Sequence, residues 1–467
     1  MKFIVDNDIR VIDADDRLQK WCMNELVLDN PDFYKKQKLG KWTGSTPKSI
    51  WLYENRGGIL YIPFGCLTKL WAMYPNAEIW EIKTPLKQFK KYASHIILYE
   101  YQEKAVMEAL KKKNGVLVMP CGSGKTQCGI EIIARLGGRA LWLTHTQDLL
   151  NQSMNRAKSV LDIDGSFGTI TAGKVNIGTH ITFATVQTMC NIDLGKYKDC
   201  FDVIIVDEVQ RCAGSPTKVT QFYKVVSNLS ARYKYGLTAT PKRADGLEKS
   251  MFALIGDVIH EVSKDEVSDK TCNVVVRKIR TGYVPDYNAV LLGDGTLDYN
   301  AVIDDMIHDK SRFDFVMNKI NELPKGEPVL VLGNRVEYLK SMNDAYSGRS
   351  ICLSGMTMTK SSRELRKASL NRLNNGELDC IFATYALAKE GLDVPNLRYV
   401  VFVTPEKDET TVIQSVGRVG RKAEGKDHGT VIDFIDDFGM YIGWSKKRDR
   451  YYKKIDAEVV EDEEGSL

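Results

Sequence analysis

One short segment constrains the fold of this chain more than any other. Residues 120–126 read Pro-Cys-Gly-Ser-Gly-Lys-Thr, and they stand between the apolar run at 115–119 and a helical pattern that starts at Thr126. Glycines let backbone N–H groups turn inward around phosphate oxygens, and the N-terminus of the following helix adds a favourable dipole. A strand, a glycine-rich loop and a helix in this order predict a parallel α/β sheet with a nucleotide at its edge.

The residues of this loop have expected roles. Lys125 can reach the β and γ phosphates, and the Thr126 hydroxyl can ligate Mg²⁺. The general pattern G-x-x-x-x-G-K-[ST] has a glycine where this chain has Met119. The residues expected to surround the nucleotide are Pro120, Cys121, Gly122, Ser123, Gly124, Lys125 and Thr126.

An acidic pair follows a second apolar run. Val203–Val206 is followed directly by Asp207 and Glu208. Carboxylates at the C-terminal end of a buried strand lie at the crevice where α/β sheets bind ligands. Taken alone, such a pair is as often a helix N-cap. Together with the upstream loop, it predicts that Asp207 holds Mg²⁺ and that Glu208 acts as the general base for water.

The rest of the chain divides by pattern. Short β-branched runs alternate with helical periodicity in two series, which predicts two tandem parallel sheets covered on both faces. The strands expected in the first series are 116–119, 140–144, 181–184, 203–206 and 235–238, and those in the second are 329–332, 351–353, 380–383, 399–403 and 430–435. We expect a small β-containing domain at 1–95, the first α/β domain at 96–262, a connecting segment with an insertion at 263–312, the second α/β domain at 313–455 and a solvated acidic tail at 456–467.

Composition places the chain among globular proteins. Of its 467 residues, 43% are hydrophobic and 27% charged, which excludes a mainly disordered, collagen-like or coiled-coil chain. No apolar run approaches the ~20 residues of a membrane helix, and the first ten residues lack the pattern of a secretory signal. The ten cysteines show no Cys-x-x-Cys spacing. We therefore expect a soluble, cytoplasmic protein, in the host cytoplasm if a phage encodes it.

Five segments together resemble the ordered motif set of superfamily 2 helicases of the DEAD/DEAH type. They are PCGSGKT, VDEVQ, GLTATPKRADG, ATYALAKEGLDVP and QSVGRVGRKAEG, within about 98–435. The resemblance is to XPB-type repair helicases and to phage branch-migration helicases of the UvsW kind. It implies two tandem RecA-like domains, the first binding ATP and the second being the helicase C-terminal domain, with residues 1–95 recognising the DNA substrate.

The same resemblance implies roles for further residues. Tyr101 and Gln102 match a pair that contacts adenine, and Gly391 and Asp393 match residues of the second domain that meet the nucleotide. Thr238, Ala239 and Thr240 match the motif that couples nucleotide state to the bound strand. The family usually has His or Asp where this chain has Gln210. Residues in the segments that grip one nucleic-acid strand are Thr144, Gln147, Gln152, Thr185 and Gln187.

A last motif supplies candidate arginine fingers. Gln414, Arg418 and Arg421 are spaced to lie on one face of a helix, from which they can approach the γ-phosphate when the two domains close. We expect them to stabilise transition-state charge, together with the catalytic Lys125, Asp207 and Glu208. On this segment alone, a solvated basic helix face is an equal alternative.

Two basic segments are candidates for nucleic-acid binding. Residues 33–53 hold five lysines, five aromatic residues and no acid. Lys35, Lys36, Lys38 and Lys41 can neutralise phosphates and Trp42 can stack on bases, but Trp42, Trp51 and Tyr53 can equally be core residues. Residues 444–454 are also basic, and they either follow a nucleic-acid backbone or form a helix that pairs with the acidic tail.

These features predict an ATP- and Mg²⁺-dependent DNA helicase or translocase that remodels forks, displacement loops or four-way junctions. The alternatives are an RNA helicase and the motor subunit of a nuclease or restriction complex. We expect a monomer that binds branched DNA beside recombination or replication proteins and has no membrane partner. The net charge of +4 is an average over local patches of both signs, so it does not argue against a nucleic-acid partner.

Overall fold

The computed structural model describes the chain except for residues 76–79, 85–88, 121, 217–218, 242–245, 264, 271, 293–295, 354–359, 390–393, 424 and 462–467. It forms two compact units, Met1–Val267 and Ser268–Leu467. The first contains an N-terminal accessory region and one α/β sheet. The second contains another α/β sheet.

The accessory region is built on a five-stranded sheet of order β5-β6-β2-β1-β7, in which only the β1/β7 pair is parallel. A separate antiparallel pair joins β3 to β4. Its strands are β1 (Lys2–Val5), β2 (Asp8–Ile12), β3 (Val27–Asp29), β4 (Ser49–Trp51), β5 (Glu54–Arg56), β6 (Ile59–Pro63) and β7 (Trp80–Ile82). Its helices are α1 (Asp16–Glu25), α2 (Pro31–Lys38) and α3 (Leu67–Met73).

The first α/β sheet has eight strands in the order β13-β12-β14-β10-β15-β16-β9-β17, and all but the edge strand β13 run parallel. Its strands are β9 (Asn114–Val118), β10 (Ala140–Thr144), β12 (Phe167–Thr171), β13 (Lys174–Asn176), β14 (Ile181–Thr185), β15 (Val203–Asp207), β16 (Tyr233–Thr238) and β17 (Val258–Glu261). The short strands β8 (Tyr92–Ser94) and β11 (Leu161–Ile163) pair beside it. The helices are α4 (Glu100–Lys111), α5 (Lys125–Leu136), α6 (Gln147–Val160), α7 (Val186–Cys190), α8 (Gln221–Asn228) and α9 (Glu248–Ile255).

Strand residues of this sheet alternate between two buried layers. In β10, Trp142 packs in one hydrophobic cluster with Phe183 and Tyr235. Its neighbours Leu141 and Leu143 pack in the cluster on the opposite face. Because both faces are covered, the central strands are continuous apolar runs, which is why they are visible in the sequence.

The accessory region is fixed to this sheet by close packing. Leu247 and Ala253 of the first α/β domain belong to the same hydrophobic cluster as the accessory core. The Asn114 side chain donates hydrogen bonds to the carbonyls of Gly65 (3.1 Å) and Ile255 (2.9 Å). A Cβ at Gly65 would lie 2.3 Å from the Phe252 carbonyl oxygen, so only glycine permits this approach. The sequence suggested a separate small domain, but residues 1–95 pack as part of the first compact unit.

The second unit has a seven-stranded parallel sheet of order β20-β21-β19-β22-β23-β18-β24. Its strands are β18 (Asn273–Arg280), β19 (Val329–Gly333), β20 (Ser350–Cys352), β21 (Cys380–Thr384), β22 (Tyr399–Phe402), β23 (His428–Ile435) and β24 (Glu458–Glu461). Its helices are α10 (Tyr287–Val290), α11 (Tyr299–His308), α12 (Lys310–Asn321), α13 (Val336–Ala345), α14 (Lys360–Asn374), α15 (Tyr385–Lys389), α16 (Glu409–Val419) and α17 (Gly439–Lys454).

Two segments of this unit differ from the sequence expectation. Residues 273–280, expected within the connecting segment, form β18 and pair along their whole length with β23. Residues 458–461, expected in a solvated tail, form the edge strand β24 on β18. β18 contains the β-branched run Val274–Val276, so a strand was readable there, but the sequence did not show that it joins the second sheet beside β23. Among the described residues, no helix has both the length and the apolar character needed to span a membrane.

Candidate nucleotide site and strand-contact edge

The candidate site lies at the carboxyl edge of the first parallel sheet. The glycine-rich loop follows β9, the acidic pair ends β15, and Thr238 ends β16, so three neighbouring strands carry the nucleotide motifs. The segments expected to grip nucleic acid follow β10 and β14, on the other side of β15. Parallel strands end at one edge, which places both sets of residues along a single crevice.

The backbone of the glycine-rich loop turns through two left-handed glycines. Gly122 has φ 81° and Gly124 has φ 84°, and the helix α5 begins directly afterwards at Lys125. The Lys125 Nζ donates to the carbonyls of Met119 (3.2 Å) and Pro120 (3.1 Å), within the loop itself. Ser123 is buried, and its hydroxyl donates to Pro120 O at 2.7 Å. Cys121 lies outside the described residues.

Tyr101 and Gln102 form hydrogen bonds to the backbone of this loop. The Gln102 Nε2 donates to Ser123 O at 2.8 Å, while its Oε1 accepts from Tyr99 N at 3.0 Å. The Tyr101 hydroxyl donates to the same Ser123 carbonyl at 3.2 Å. Both side chains are buried. Their observed partners are therefore in the protein, and contact with adenine stays a prediction.

β15 ends at the buried Asp207, and the partly buried Glu208 follows it in a strained backbone conformation. Burial, and then the neighbouring Glu208 carboxylate, raise the pKa of Asp207 well above its usual range, against the opposing effects of Lys125 and the Glu208 N–H. That N–H donates to Asp207 Oδ1 at 3.0 Å. Glu208 has φ 53°, a left-handed conformation that is costly for a residue with a side chain.

This environment fits a divalent cation. Two adjacent carboxylates are costly to keep charged in a buried setting, and a nearby cation offsets that cost. The Asp207 carboxylate and the Thr126 hydroxyl are hard oxygen donors, the type that Mg²⁺ prefers, and Mg²⁺ usually needs few protein ligands because it keeps several waters. In the described part of the chain there is no group of three or more His, Cys, Asp or Glu side chains that could hold a metal by itself.

Gln210 connects the acidic pair to β16. It lies in a single 3-10 turn, Val209–Arg211, immediately after Glu208. Its Nε2 donates to a carboxylate oxygen of Glu208, and its Oε1 accepts from the Thr238 hydroxyl at 2.7 Å. The Thr238 Oγ1 in turn accepts from Thr240 N at 3.0 Å. A continuous chain of hydrogen bonds thus joins Glu208 to the Thr-Ala-Thr segment.

The residues expected to grip nucleic acid fall into two groups. Thr144 is buried and its hydroxyl donates to Thr146 O at 3.0 Å, so the expectation that its side chain contacts nucleic acid is corrected: it shapes the turn into α6. The Thr185 side chain is also buried. Its hydroxyl donates to the Thr188 hydroxyl at 3.1 Å, so Thr185 likewise shapes the turn into the helix that follows its strand. Gln147, Gln152 and Gln187 present accessible side chains.

Gln187 links the ends of β14 and β10. Its Nε2 donates to His145 O at 2.8 Å. Burial, and then the Arg211 charge, lower the pKa of His145 to about 4, so its imidazole is neutral at neutral pH. The two loops expected to meet nucleic acid are therefore held together, and they border the 3-10 turn that carries Gln210.

The structure does not place Gln414, Arg418 and Arg421 of the second unit on one shared helix face, as the sequence predicted. Gln414 and Arg418 lie on α16, but this helix ends at Val419 and Arg421 lies beyond it. The single helical face predicted for all three residues is therefore wrong, because Gly420 caps the helix first. Arg418 is buried and its guanidinium donates to Ala388 O. Gly391 and Asp393 lie outside the described residues.

The basic segment of the accessory region is exposed. Lys35, Lys36 and Lys38 belong to α2, and Lys41 and Trp42 follow it. Trp42 is 88% exposed, which excludes it from the core. A Cβ at Gly44 would lie 2.5 Å from its ring, so the indole rests on this glycine. Trp51 is also exposed, whereas Tyr53 packs against the accessory core.

The second basic segment forms most of α17. Arg448 is buried and pairs with Asp433 through Nη2 (2.7 Å) and Nε (2.9 Å). Tyr452 is buried beside it and donates to Asp433 Oδ2 at 2.8 Å. Part of this basic run is therefore core, and the remaining lysines form an exposed face.

Comparisons with known proteins decide the family. Residues 95–243 match the family model "Type III restriction enzyme, res subunit", and residues 311–423 match "Helicase conserved C-terminal domain". The chain belongs to superfamily 2 of the helicases. The predicted tandem RecA-like domains with parallel sheets are confirmed for this superfamily 2 helicase.

Relatives and solved structures agree with this assignment. The helicase is 29% identical over 355 residues to "Putative ATP-dependent RNA helicase L396" of Acanthamoeba polyphaga mimivirus, a match that covers 73% of this chain and 64% of the relative. It is 24% identical over 371 residues to "DNA 3'-5' translocase XPB2" of Sulfurisphaera tokodaii, covering 70% and 80%. A fragment of a putative HsdR subunit of a type I restriction enzyme from Vibrio vulnificus YJ016 shares the fold with TM-score 0.56 and 18% identity, covering 79% of this chain and 69% of that one.

Sequence reasoning missed the contacts of Gln210 and Ser123. Gln210 stood out only as a departure from the family pattern, and nothing in the local sequence indicated that it bridges two strands. A signal existed in principle, since a carboxamide can donate and accept at once, whereas a carboxylate only accepts.

Proposed function

We propose that this chain is an ATP-dependent DNA translocase that remodels branched DNA such as forks, displacement loops and four-way junctions. The observation that carries the proposal is the hydrogen-bond chain from Glu208 through Gln210 to Thr238. It runs along the same sheet edge as the loops after β10 and β14. A change at the nucleotide can thereby reach the Thr-Ala-Thr segment, which by family resemblance couples nucleotide state to the bound strand.

The residues of the first unit supply the chemistry of ATP hydrolysis. Lys125 neutralises phosphate charge once it leaves the carbonyls of its own loop, and Glu208 accepts a proton from the attacking water. Thr126 and Asp207 would hold Mg²⁺, which neutralises phosphate charge when it is bound. Gln414, Arg418 and Arg421 are assigned to stabilise the transition state, with movement of the second domain controlling their approach.

Exposed groups on the accessory region favour a nucleic acid with unpaired bases. Lysines near the phosphate backbone and an exposed indole are the combination that binds single strands by charge and stacking. Because the accessory region packs rigidly on the first α/β domain, a branch held by Trp42 would move with that domain. The DNA translocase among the relatives supports DNA as the substrate.

One comparison separates this proposal from its alternatives. Steady-state ATP hydrolysis is measured with single-stranded DNA, duplex DNA, a four-way junction and RNA as activators, alongside strand displacement. We expect the four-way junction to give the strongest stimulation at limiting concentration. Stronger stimulation by RNA would support an RNA helicase, in line with the name of the mimivirus relative. Stimulation by duplex DNA without strand displacement would instead support the motor of a nuclease or restriction complex.

A further inference from the structure

A small cavity lies in the second unit, apart from the nucleotide motifs. It is lined by residues of β18, β23, β24 and α17, and its volume is about 150 Å³. That volume is at least ten times the ~10–15 Å³ that one water molecule needs by the same measure. The lining residues are Lys278, Arg280, Ile435, Ile442, Ser445, Lys446, Asp449 and Glu461.

Three cations line this cavity, and they differ in how they are held. Lys278 is only 5% exposed, and its Nζ donates to both oxygens of Asp449, at 2.8 and 3.1 Å. Arg280 is exposed and pairs with Asp437 at 2.6 Å. Lys446 is exposed on α17. The lining holds three cations and two carboxylates, Asp449 and Glu461, so displacement of Glu461 would leave it with a net positive charge that suits an anion.

A buried hydroxyl in the wall has no protein partner. Ser445 is 2% exposed, and in the described part of the chain its Oγ finds no hydrogen-bond partner. A buried polar group without a hydrogen bond is costly, so such a group in a cavity wall indicates a water or ligand oxygen as its partner. The chemistry of the wall therefore matches an oxyanion.

Glu461 lines this cavity and approaches Lys278. The register of β24 on β18 places Glu461 opposite Lys278, and its Oε1 lies 3.7 Å from the Lys278 Nζ. The Glu461 side chain is 77% exposed, and all four residues of β24 are exposed. Only the Glu461 side of this pair is exposed, and its 3.7 Å separation is longer than that of the Lys278–Asp449 hydrogen bonds, so the Glu461 carboxylate is the weaker partner of Lys278. A competing anion can therefore displace the carboxylate at low cost.

We propose that this cavity binds a phosphate group of a nucleic-acid backbone and that Glu461 occupies its entrance when nucleic acid is absent. The inference rests on the proposed function only in requiring that the chain binds nucleic acid. It gives the second α/β domain a backbone contact of its own. It also gives Glu461 of β24 a function, which is to compete with phosphate for Lys278 and Lys446.

The test compares four single variants and one double variant of the full chain by fluorescence anisotropy with labelled single-stranded DNA. Glu461→Gln removes the competing charge and keeps the backbone pairing of β24. Glu458→Gln is its matched control, because it makes the same charge change on the same strand opposite Val275, away from the cavity. Lys446→Gln removes a cation of the cavity, and Lys447→Gln is its neighbouring control.

We expect Glu461→Gln to raise DNA affinity roughly 2- to 5-fold, the effect of one exposed charge pair, and Glu458→Gln to change it less. The slope of log affinity against log salt should steepen by about 0.7, the value for one added phosphate contact on a single strand. Lys446→Gln should weaken binding more than Lys447→Gln does. In the double variant, Lys446→Gln should cancel the gain from Glu461→Gln.

Equal effects of Glu461→Gln and Glu458→Gln, or of Lys446→Gln and Lys447→Gln, would overturn the inference in favour of diffuse surface charge. Thermal stabilisation of Glu461→Gln by inorganic phosphate, without any gain in DNA affinity, would assign the cavity to free anions and would also overturn it. The ATPase of the unchanged chain separates the two proposals. If DNA stimulates that ATPase while the paired variants behave alike, only this inference fails, whereas absence of stimulation contradicts the proposed function itself.

Discussion

Thr238 and Gln210 are joined side chain to side chain, with the Thr238 hydroxyl donating to Gln210 Oε1 over 2.7 Å. Gln210 uses the other end of its carboxamide to donate to Glu208. One neutral side chain thus contacts the expected general base and the end of β16 at the same time. An Asp carboxylate at this position could not donate to Glu208, whereas the Gln210 carboxamide does.

This bridge leads to the first prediction. Removing it with Gln210→Ala should lower the DNA-stimulated ATP turnover roughly tenfold, because loss of a buried hydrogen bond costs about 1–3 kcal/mol. Thr238→Val, which removes only the hydroxyl, should have a similar effect. The double variant should be no slower than the slower single variant, because both remove the same interaction. Steady-state ATPase measurements test this, with the exposed and remote Gln19→Ala as control. Independent, multiplying effects would contradict it.

The second prediction concerns the exposed basic segment. Replacing Lys35, Lys36, Lys38 and Lys41 by alanine should weaken binding to branched DNA and flatten its salt dependence, because fewer counterions are released. ATPase at saturating DNA should survive, since these lysines lie in the accessory region. Trp42→Ala should weaken binding by roughly 1–3 kcal/mol if bases stack on the indole.

The control for these variants is Lys174→Ala, an exposed lysine on the edge strand β13. Binding is measured by anisotropy over a range of salt concentrations. Unchanged affinity of the four-lysine variant for a four-way junction at moderate salt would show that these lysines do not contribute to the binding of branched DNA.

The third prediction concerns a buried lysine between the accessory region and the first sheet. Lys234 is fully buried, with its Nζ 3.2 Å from Val226 O and 4.5 Å from the centre of the Phe64 ring. Burial lowers its pKa to about 7, an effect that Asp8 and Asp6 oppose. Below about pH 7 the lysine is charged in both states, so the folded protein bears the full cost of the buried charge.

Between pH 7 and about pH 10 the unfolded chain carries a proton that the folded chain has lost. The free energy of unfolding should therefore rise with pH, by up to about 1.4 kcal/mol per pH unit. Lys234→Met has no charge to bury at this position. The free energy of unfolding of this variant should therefore exceed that of the unchanged protein most near pH 7, and the excess should shrink toward pH 10. Urea unfolding at several pH values tests this, with Lys174→Met as control. A difference that does not vary with pH would show that Lys234 stays charged when folded.

Much of this architecture could be predicted from local sequence. The central strands of both sheets were expected within one or two residues, because a parallel strand buried on both faces is a continuous run of β-branched residues. The position of the glycine-rich loop between β9 and α5 followed from the same reasoning.

The features that sequence reasoning missed depend on distant partners. β18 contains the β-branched run Val274–Val276, but its place in the second sheet depends on β23, which lies about 150 residues later. Thr144 matches a strand-gripping segment by position, yet the end of β10 is buried and its hydroxyl is used within the turn. The role of Gln210 follows only from the adjacency of β15 and β16.

The most direct test of the account is ATP turnover by the unchanged chain and by Glu208→Gln, each with and without single-stranded DNA. Glu208→Gln keeps the size and shape of the side chain and one acceptor oxygen for Gln210, but it cannot accept a proton from water at neutral pH. We predict DNA-stimulated hydrolysis by the unchanged chain and loss of turnover in the variant, with unchanged folding and retained ATP binding. Hydrolysis by Glu208→Gln at the rate of the unchanged chain would contradict the assignment of Glu208 as the base.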